Sequence, residues 1–337
     1  MKAAAATAAF AVLLVTSVGL TACGADASPA PGAAGAVTAR ASAAQSASTT
    51  RYPVDVRNCG RTLHFDRAPT RVVSGWTTNT ELLIELGLTH RIVGQYNTSS
   101  GTPAAKYAAT EAKIPVLAKG APSREALLAA RPDLIWADGS YLFDGQQLPT
   151  IDDLRADGIQ VLILDGFCTD DATRAAVRDV DTTLTSLGTI FGAQTAASRI
   201  RADIDRRLEG VAASVRSATP TPIAMISAFQ GAVYTYDGVY SDIARLAGAR
   251  NIYAGSLPAG KYFSELSVED LIRKNPGTLV YLLSGGESEA KAREYLTARF
   301  PTVQAVRSGR ISFLPQSDST NLAGVDGVTT LATALRF

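Results

Sequence analysis

Histidine is scarce in this chain: two residues in 337, His64 and His90. A site for free zinc or manganese draws on several imidazoles with carboxylates, so that class of ion carrier lacks its ligands here. His64 lies in an alternating N-terminal segment and His90 at an expected helix end. Each reads as a surface or capping residue, and neither is placed to ligate haem. Long runs of Lys or Arg are missing and the formal net charge is +1, which leaves nucleic-acid binding without electrostatic support. There is no G-x-S-x-G elbow, and a Ser–His–Asp relay would lack a base beside its nucleophile. The doublets Asp152-Asp153 and Asp170-Asp171 fall at expected helix starts, where capping accounts for them. Gly285-Gly286-Glu287 follows a strand without the rest of a phosphate-binding pattern and reads as a turn. No enzyme is expected, although a secreted enzyme is the rival from a different functional class.

What the chain does contain is one long polar-faced helix. In QTAASRIRADIDRRLEGVAASVRS, Gln194 to Ser217, the apolar residues Ile200, Ile204, Leu208, Val211 and Val215 form one helical stripe. About 24 residues at ~1.5 Å rise make a rod of about 36 Å, longer than one small lobe needs. Pro220 and Pro222 end it ahead of the strand PIAMISAF. On either side lies a helix–Pro–strand unit, PSREALLAARPDLIW before and LSVEDLIRKNPGTLVY after. Ser123, Leu127, Leu128, Pro132, Leu134 and Ile135 align with Ser267, Leu271, Ile272, Pro276, Leu279 and Val280. Strands and helices alternate through both halves, with further strands expected at 71–76, 91–95, 159–164, 223–229, 232–236 and 310–314. Helices are expected from TTNTELLIELGL, 151–157, 171–192, 241–247, 288–298 and, as a tail, 327–337. The expected fold is therefore α/β: two Rossmann-like lobes joined by a single long α-helix, with a ligand cleft between the lobes. The expected division is an N-terminal lobe at 52–192, a connecting helix at 193–218 and a C-terminal lobe at 219–337. In open α/β sheets ligands sit at the carboxyl ends of the strands.

The first residues read as a targeting segment. Lys2 precedes an unbroken apolar and small-residue run ending in Leu20-Thr21-Ala22-Cys23, which resembles a bacterial lipobox. The expectation is a lipoprotein signal peptide at 1–22, with Cys23 lipidated, holding the protein outside the cytoplasmic membrane by that anchor alone. Residues 23–51, rich in Ala, Ser, Gly, Pro and Thr, read as a flexible tether. Cys59 and Cys168 remain as an even pair in an oxidising compartment. A disulfide is the favoured reading and two buried thiols the other, since both cysteines must first be brought within reach by the fold.

Several stretches together resemble one family: PTRVVSGWTTNTELLIELGLTHRIVGQ, KIPVL, PSREALLAARPDLIW, LGTIFG, DIARLAGARNIY and SVEDLIRKNP. Their order and spacing are similar to the class III, helical-backbone substrate-binding lipoproteins of ABC importers for ferric siderophores, haem and cobalamin. The resemblance runs from about Pro53 to Val306. It implies a receptor that captures a ferric-siderophore-type chelate and hands it to a permease driven by an ATPase, with cobalamin or haem as alternative cargo. It implies small lobe movement, no cofactor, a metal chelate as ligand and a monomeric state. In the family a Glu early in the first helix of each lobe pairs with permease arginines, which implies docking roles for Glu81 and Glu269. Residues past strand ends or in cleft-facing loops are candidates to line the ligand site: Trp76, Tyr96, Trp136, Tyr141, Phe143, Phe229, Tyr236, Tyr240, Lys261 and Tyr262. Aromatic walls suit a bulky, flat or chelated ligand. Lys261 and Arg250 are the cations available to an anionic one. No arginine cluster for an acidic catecholate complex is evident, which leaves a hydroxamate-type chelate, haem or a corrinoid.

Overall fold

The computed structural model describes residues 50–168, 172–317 and 321–335. The expected signal peptide, Cys23, most of the tether and the Asp170-Asp171 doublet lie outside the described residues. Among the described residues no helix is long and apolar enough to cross a membrane.

The description begins with an antiparallel hairpin, β1 (Val54–Asn58) and β2 (Arg61–Phe65). Its turn places Cys59 and Gly60 at positive φ, as a two-residue hairpin loop requires. Cys59 is disulfide-bonded to Cys168, with the two Cα atoms 4.7 Å apart. Next come β3 (Val72–Gly75), α1 (Thr77–Glu85), β4 (Ile92–Gln95), α2 (Ala105–Glu111) and α3 (Arg124–Ala129). They are followed by β5 (Leu134–Ala137), α4 (Ile151–Ala156) and β6 (Gln160–Ile163). Strands β3 to β6 form a parallel sheet in the order β4-β3-β5-β6. Val72, Leu134 and Trp136 pack into one apolar core, while Val73, Ile135 and Ala137 pack into another. A strand buried on both faces needs a continuous apolar run, which RVVSG and DLIWA provide.

Helix α5 (Asp179–Phe191) ends at Gly192 with φ 68, the left-handed cap that glycine adopts without strain. Helix α6 (Gln194–Val215) follows and buries Ala197, Ile200, Ile204, Leu208 and Val211. Then come β7 (Thr221–Phe229), β8 (Ala232–Tyr236), α7 (Val239–Leu246), β9 (Ala249–Asn251), β10 (Phe263–Glu265) and α8 (Val268–Lys274). The chain continues through β11 (Leu279–Leu283), α9 (Glu289–Arg299), α10 (Gln304–Arg307), β12 (Ile311–Pro315) and α11 (Leu322–Ala334). The second sheet has the order β10-β8-β7-β11-β12, with β9 paired to β7. Its β7, β9, β11 and β12 run parallel, whereas β8 and β10 are antiparallel to their neighbours.

Three departures from the expected elements have physical causes. The expected helix over 171–192 regularises only at Asp179, preceded by a 3₁₀ turn at Ala172–Arg174. The tail helix starts at Leu322 instead of residue 327, because the Asn321 side chain caps it by accepting from the Ala323 amide. Gly324 and Gly327 dilute its helical signal, yet both are buried in the packed face. Helix α2, seven residues long, shows too little periodicity to be read.

One apolar cluster runs through the molecule. It joins Leu134 and Trp136 of the first sheet to Met225, Val280 and Leu314 of the second, through α5, α6, α7 and α11. Two polar ties reinforce it. The Asn321 amide donates to the Thr78 hydroxyl, and the Val177 amide donates to the Asp242 carboxylate at 2.9 Å.

Candidate ligand-binding site

A cavity of about 970 Å³ opens where the carboxyl ends of both parallel strand sets meet. From the first sheet, Trp76 follows β3, Ser99 and Ser100 lie beyond β4, Asp138 and Tyr141 follow β5, and Phe167 lies past β6. From the second, Ser227 and Phe229 close β7, Ser284 and Gly285 follow β11, and Gln316 follows β12. Tyr234 and Tyr236 of β8, Tyr240 of α7 and the loop Lys261-Tyr262-Phe263 complete the wall. The two sides touch at both ends. At one end a Cβ on Gly285 would lie 2.8 Å from the Ser99 carbonyl oxygen, and Gly285 has φ +44, so glycine alone suits that approach. At the other, the Phe167 and Tyr262 rings meet edge-to-face at 5.5 Å.

The rings form a continuous series. Tyr262 packs on Phe263 at 5.1 Å, Phe263 on Tyr236 at 6.3 Å, and Tyr236 on Tyr240 at 5.0 Å. Hydrogen bonds fix their polar ends: the Tyr236 hydroxyl meets the Ser227 hydroxyl at 2.7 Å and accepts from the Gln316 amide at 3.0 Å. The Tyr240 hydroxyl donates to the Gln316 carbonyl. Burial raises the Tyr236 phenol and pushes the Tyr262 phenol up to about 12, so both stay neutral donors at ordinary pH. Tyr141, Phe229 and Phe263 are 60%, 57% and 44% exposed, which leaves apolar area free at the mouth.

Among the described residues two charged side chains stand on this wall. Lys261 is exposed and makes no ion pair among the described residues. Asp138 is half-buried, and burial pushes its carboxyl up to about 7. Its Oδ2 accepts from the Tyr141 hydroxyl at 2.9 Å, and the Tyr141 oxygen accepts from the Asn97 amide at 3.2 Å. The wall contains no His or Cys among the described residues. Among the described residues no group of three His, Cys, Asp or Glu could hold a bare metal ion. The arrangement offers rings, neutral phenols and the Asp138 acid to a bulky ligand.

Seven of the ten expected wall residues meet here: Trp76, Tyr141, Phe229, Tyr236, Tyr240, Lys261 and Tyr262. Three do not. The Tyr96 ring fills the slot left by Gly75, where any Cβ would come within 2.3 Å of its oxygen, and it is fully buried. Trp136 points from β5 into the shared core, and Phe143 packs into the core on the opposite face of that sheet. Arg250, on β9, is exposed and away from the wall. Phe167, Tyr234, Phe263 and Asp138 were not anticipated. Period-two alternation with Tyr236 could have found Tyr234, and the position straight after DLIWA could have found Asp138.

The expectation of an exposed Glu81 is corrected by the structure. Glu81 is 6% exposed, and its carboxylate turns inward to accept from the Ala104 amide at 2.6 Å. Burial pushes it up to about 7, against the opposing effects of that bond and of Lys106. Glu269, by contrast, is exposed in the first turn of α8, whose Ser267 cap accepts from the Asp270 amide. Glu125 occupies the same position in α3, behind the Ser123 cap, and is also exposed.

Comparison with solved structures identifies the architecture. A periplasmic binding protein from Veillonella parvula superposes with a TM-score of 0.72 at 22% identity, covering 84% of this chain and 97% of that one. An ABC-type Fe3+-hydroxamate transport system protein from Saccharomonospora viridis gives 0.69 at 21% identity, covering 85% and 100%. The periplasmic haem-binding protein of Vibrio cholerae gives 0.62 at 20% identity, covering 80% and 99%. At these identities the likeness establishes the fold. No protein of curated function matches the sequence significantly. Residues 72–317 match the family model for Periplasmic binding protein, and that span takes in both sheets and nearly the whole cavity wall: the chain belongs to the periplasmic binding protein family.

Proposed function

We propose that the protein is the lipid-anchored, extracytoplasmic receptor of an ABC importer, capturing a ferric-siderophore-type chelate for delivery to a permease. One observation carries this reading: a ring-lined cavity of about 970 Å³ between the carboxyl ends of two sheets. That volume is at the upper end of small-molecule pockets, ~300–1,000 Å³, and exceeds the needs of a bare ion. Neutral phenol donors and rings suit the oxygen-rich, partly apolar surface of a chelate. The family and its relatives support binding over catalysis, and the wall holds no imidazole to serve as a base. The anchor rests on Cys23 and the lipobox-like run before it. We assign the lobes to 52–192 and 219–337, with 193–218 as the connecting helix. A rigid connector with a core on both sides favours capture with small lobe movement. For docking we assign Glu269 and, as its counterpart, Glu125, since the repeat that aligns Ser123 with Ser267 aligns these two glutamates.

The test is a titration of the protein with ferric hydroxamates, ferric catecholates, haem and cobalamin, following tryptophan fluorescence. Trp76 lines the cavity and Trp136 is buried in the core, so a Trp76→Phe variant should lose most of the quenching. Saturable quenching by one class at sub-micromolar ligand names the cargo. Silence towards all four classes, checked by calorimetry, would remove the chelate reading.

A further inference from the structure

The cavity has an acid without a cation. Other partly buried aspartates are satisfied within the fold, Asp326 and Asp181 by the guanidinium groups of Arg207 and Arg201, and Asp133 and Asp237 by backbone amides. Asp138 makes no ion pair among the described residues. It lies directly after β5, where strand geometry presents it to the cavity. Its hydrogen bonding has a direction. The Asn97 amide donates to the Tyr141 oxygen, so the Tyr141 hydroxyl proton is free to point at Asp138 Oδ2. That bond favours the ionised carboxylate. Oδ1 receives no bond from another residue. Burial chiefly raises the Tyr262 phenol, and the Asp138 charge stands close enough to add to that rise. An aromatic face beside a carboxylate is an environment that attracts a cation.

Resting on the chelate-binding reading above, we propose that Asp138 is the receptor for a positively charged group on the ligand, so that the cargo is a chelate bearing a basic amine. Lys261 does not satisfy Asp138 from within, because it is solvated and forms no ion pair among the described residues. A highly anionic complex would bring repulsion to Asp138, the only acid on the wall among the described residues. A complex whose metal-binding core is neutral and whose arm ends in an ammonium matches the Asp138 charge without adding a second acid beside it.

The role differs from mere support of the Tyr141 loop, and one substitution separates the two. Asp138→Asn keeps an oxygen that can accept from Tyr141 and removes the charge. The probes are the ferric complex of desferrioxamine B, a trihydroxamate ending in a primary ammonium, and that of its N-acetyl derivative, which lacks the charge. Calorimetric titration of the wild-type protein at about pH 8 should favour the ammonium form by about tenfold, the scale of one charge-assisted contact. Asp138→Asn should bind both forms as the wild type binds the acetylated one. In the wild type the preference should fade as pH drops through about 7, where Asp138 gains its proton. The other titratable groups facing Asp138 are the Tyr96, Tyr141 and Tyr262 phenols, all raised by burial and so outside that window, and the charged group across the cavity is Lys261.

Equal binding of the two forms by the wild type, or a preference that survives in Asp138→Asn, would overturn the assignment and leave the chelate reading intact. Loss of both forms in Asp138→Asn, with no pH-dependent preference in the wild type, would reduce Asp138 to a positioning residue and overturn it as well. Binding of haem or cobalamin with neither hydroxamate complex would also defeat it, while keeping a receptor function. Failure of every probe would defeat the chelate reading itself.

Discussion

Glu125 and Glu269 are each the second residue of a short helix behind a serine cap, with the carboxylate exposed. The helix dipole already favours an acid there, so position alone assigns no partner, and a functional test is needed. Reversing both charges, Glu125→Arg with Glu269→Arg, should abolish transport in cells. The purified variant should keep its ligand Kd within about twofold, because exposed substitutions of this kind perturb little. A loss of ligand affinity would show that the two acids act on the cavity. Glu81→Arg should behave differently and lower Tm, since it would bury a cation under the Ala104 amide. The contrast shows what a sequence reveals of a single residue. The motif NTELL displays an acid in a helix, but its direction is set by α2, an element too short to leave a periodic trace. Likewise Trp136 and Tyr141 lie five residues apart in one strand–loop segment. Strand parity turns the first into the core, and a polar loop leaves the second at the cavity mouth.

Among the elements, α1 and α2 form the least conventional contact. The first turn and a half of α1 buries Thr77, Thr78, Asn79, Thr80 and Glu81, a polar set where an apolar stripe would be usual. Glu111 of α2 is also buried, and burial together with the Glu81 charge pushes it up to about 7. Both carboxyls sit above the ordinary value of 4.5, so the folded protein holds protons that the unfolded chain releases. Their stabilising effect is complete below about 4.5 and is lost as pH rises through about 7. Tm should therefore fall between about pH 5 and about pH 8, and a Glu81→Gln, Glu111→Gln variant should flatten that slope. Asp138 and Asp165, raised to about 7 and about 6, act in the same direction, so part of the slope remains. An unchanged slope in the variant would mean the two glutamates are ionised when folded. The helix–Pro–strand units were legible because caps, apolar stripes and prolines coincide in each. The buried polar start of α1 was not, because its partners, Asn321 and Ala104, come from distant segments.

At the scale of the whole molecule, the alternation of strands and helices announced two sheets, and the stripe on α6 announced a helix packed along one side. What the stripe packs against could not be read, since α5 and α11 reach it from opposite halves of the chain. The result is one large apolar core that includes strands from both sheets, flanked by a smaller core on the outer face of each. Such a core makes the two sheets one cooperative unit of unfolding: neither can melt without exposing apolar surface of the other. Scanning calorimetry should record one transition with matching calorimetric and van't Hoff enthalpies, and saturating ligand should move it upward as a whole. Two resolved transitions would contradict that coupling. The same continuity bears on modular engineering. Grafting one sheet with its helices onto a relative would cut through the middle of the core and force a repacking of α5, α6 and α11 together. A foreign specificity is more readily installed by exchanging the loops that follow β5 and precede β10, which carry Tyr141 and Lys261-Tyr262 of the cavity wall and whose fully buried side chains lie outside that core.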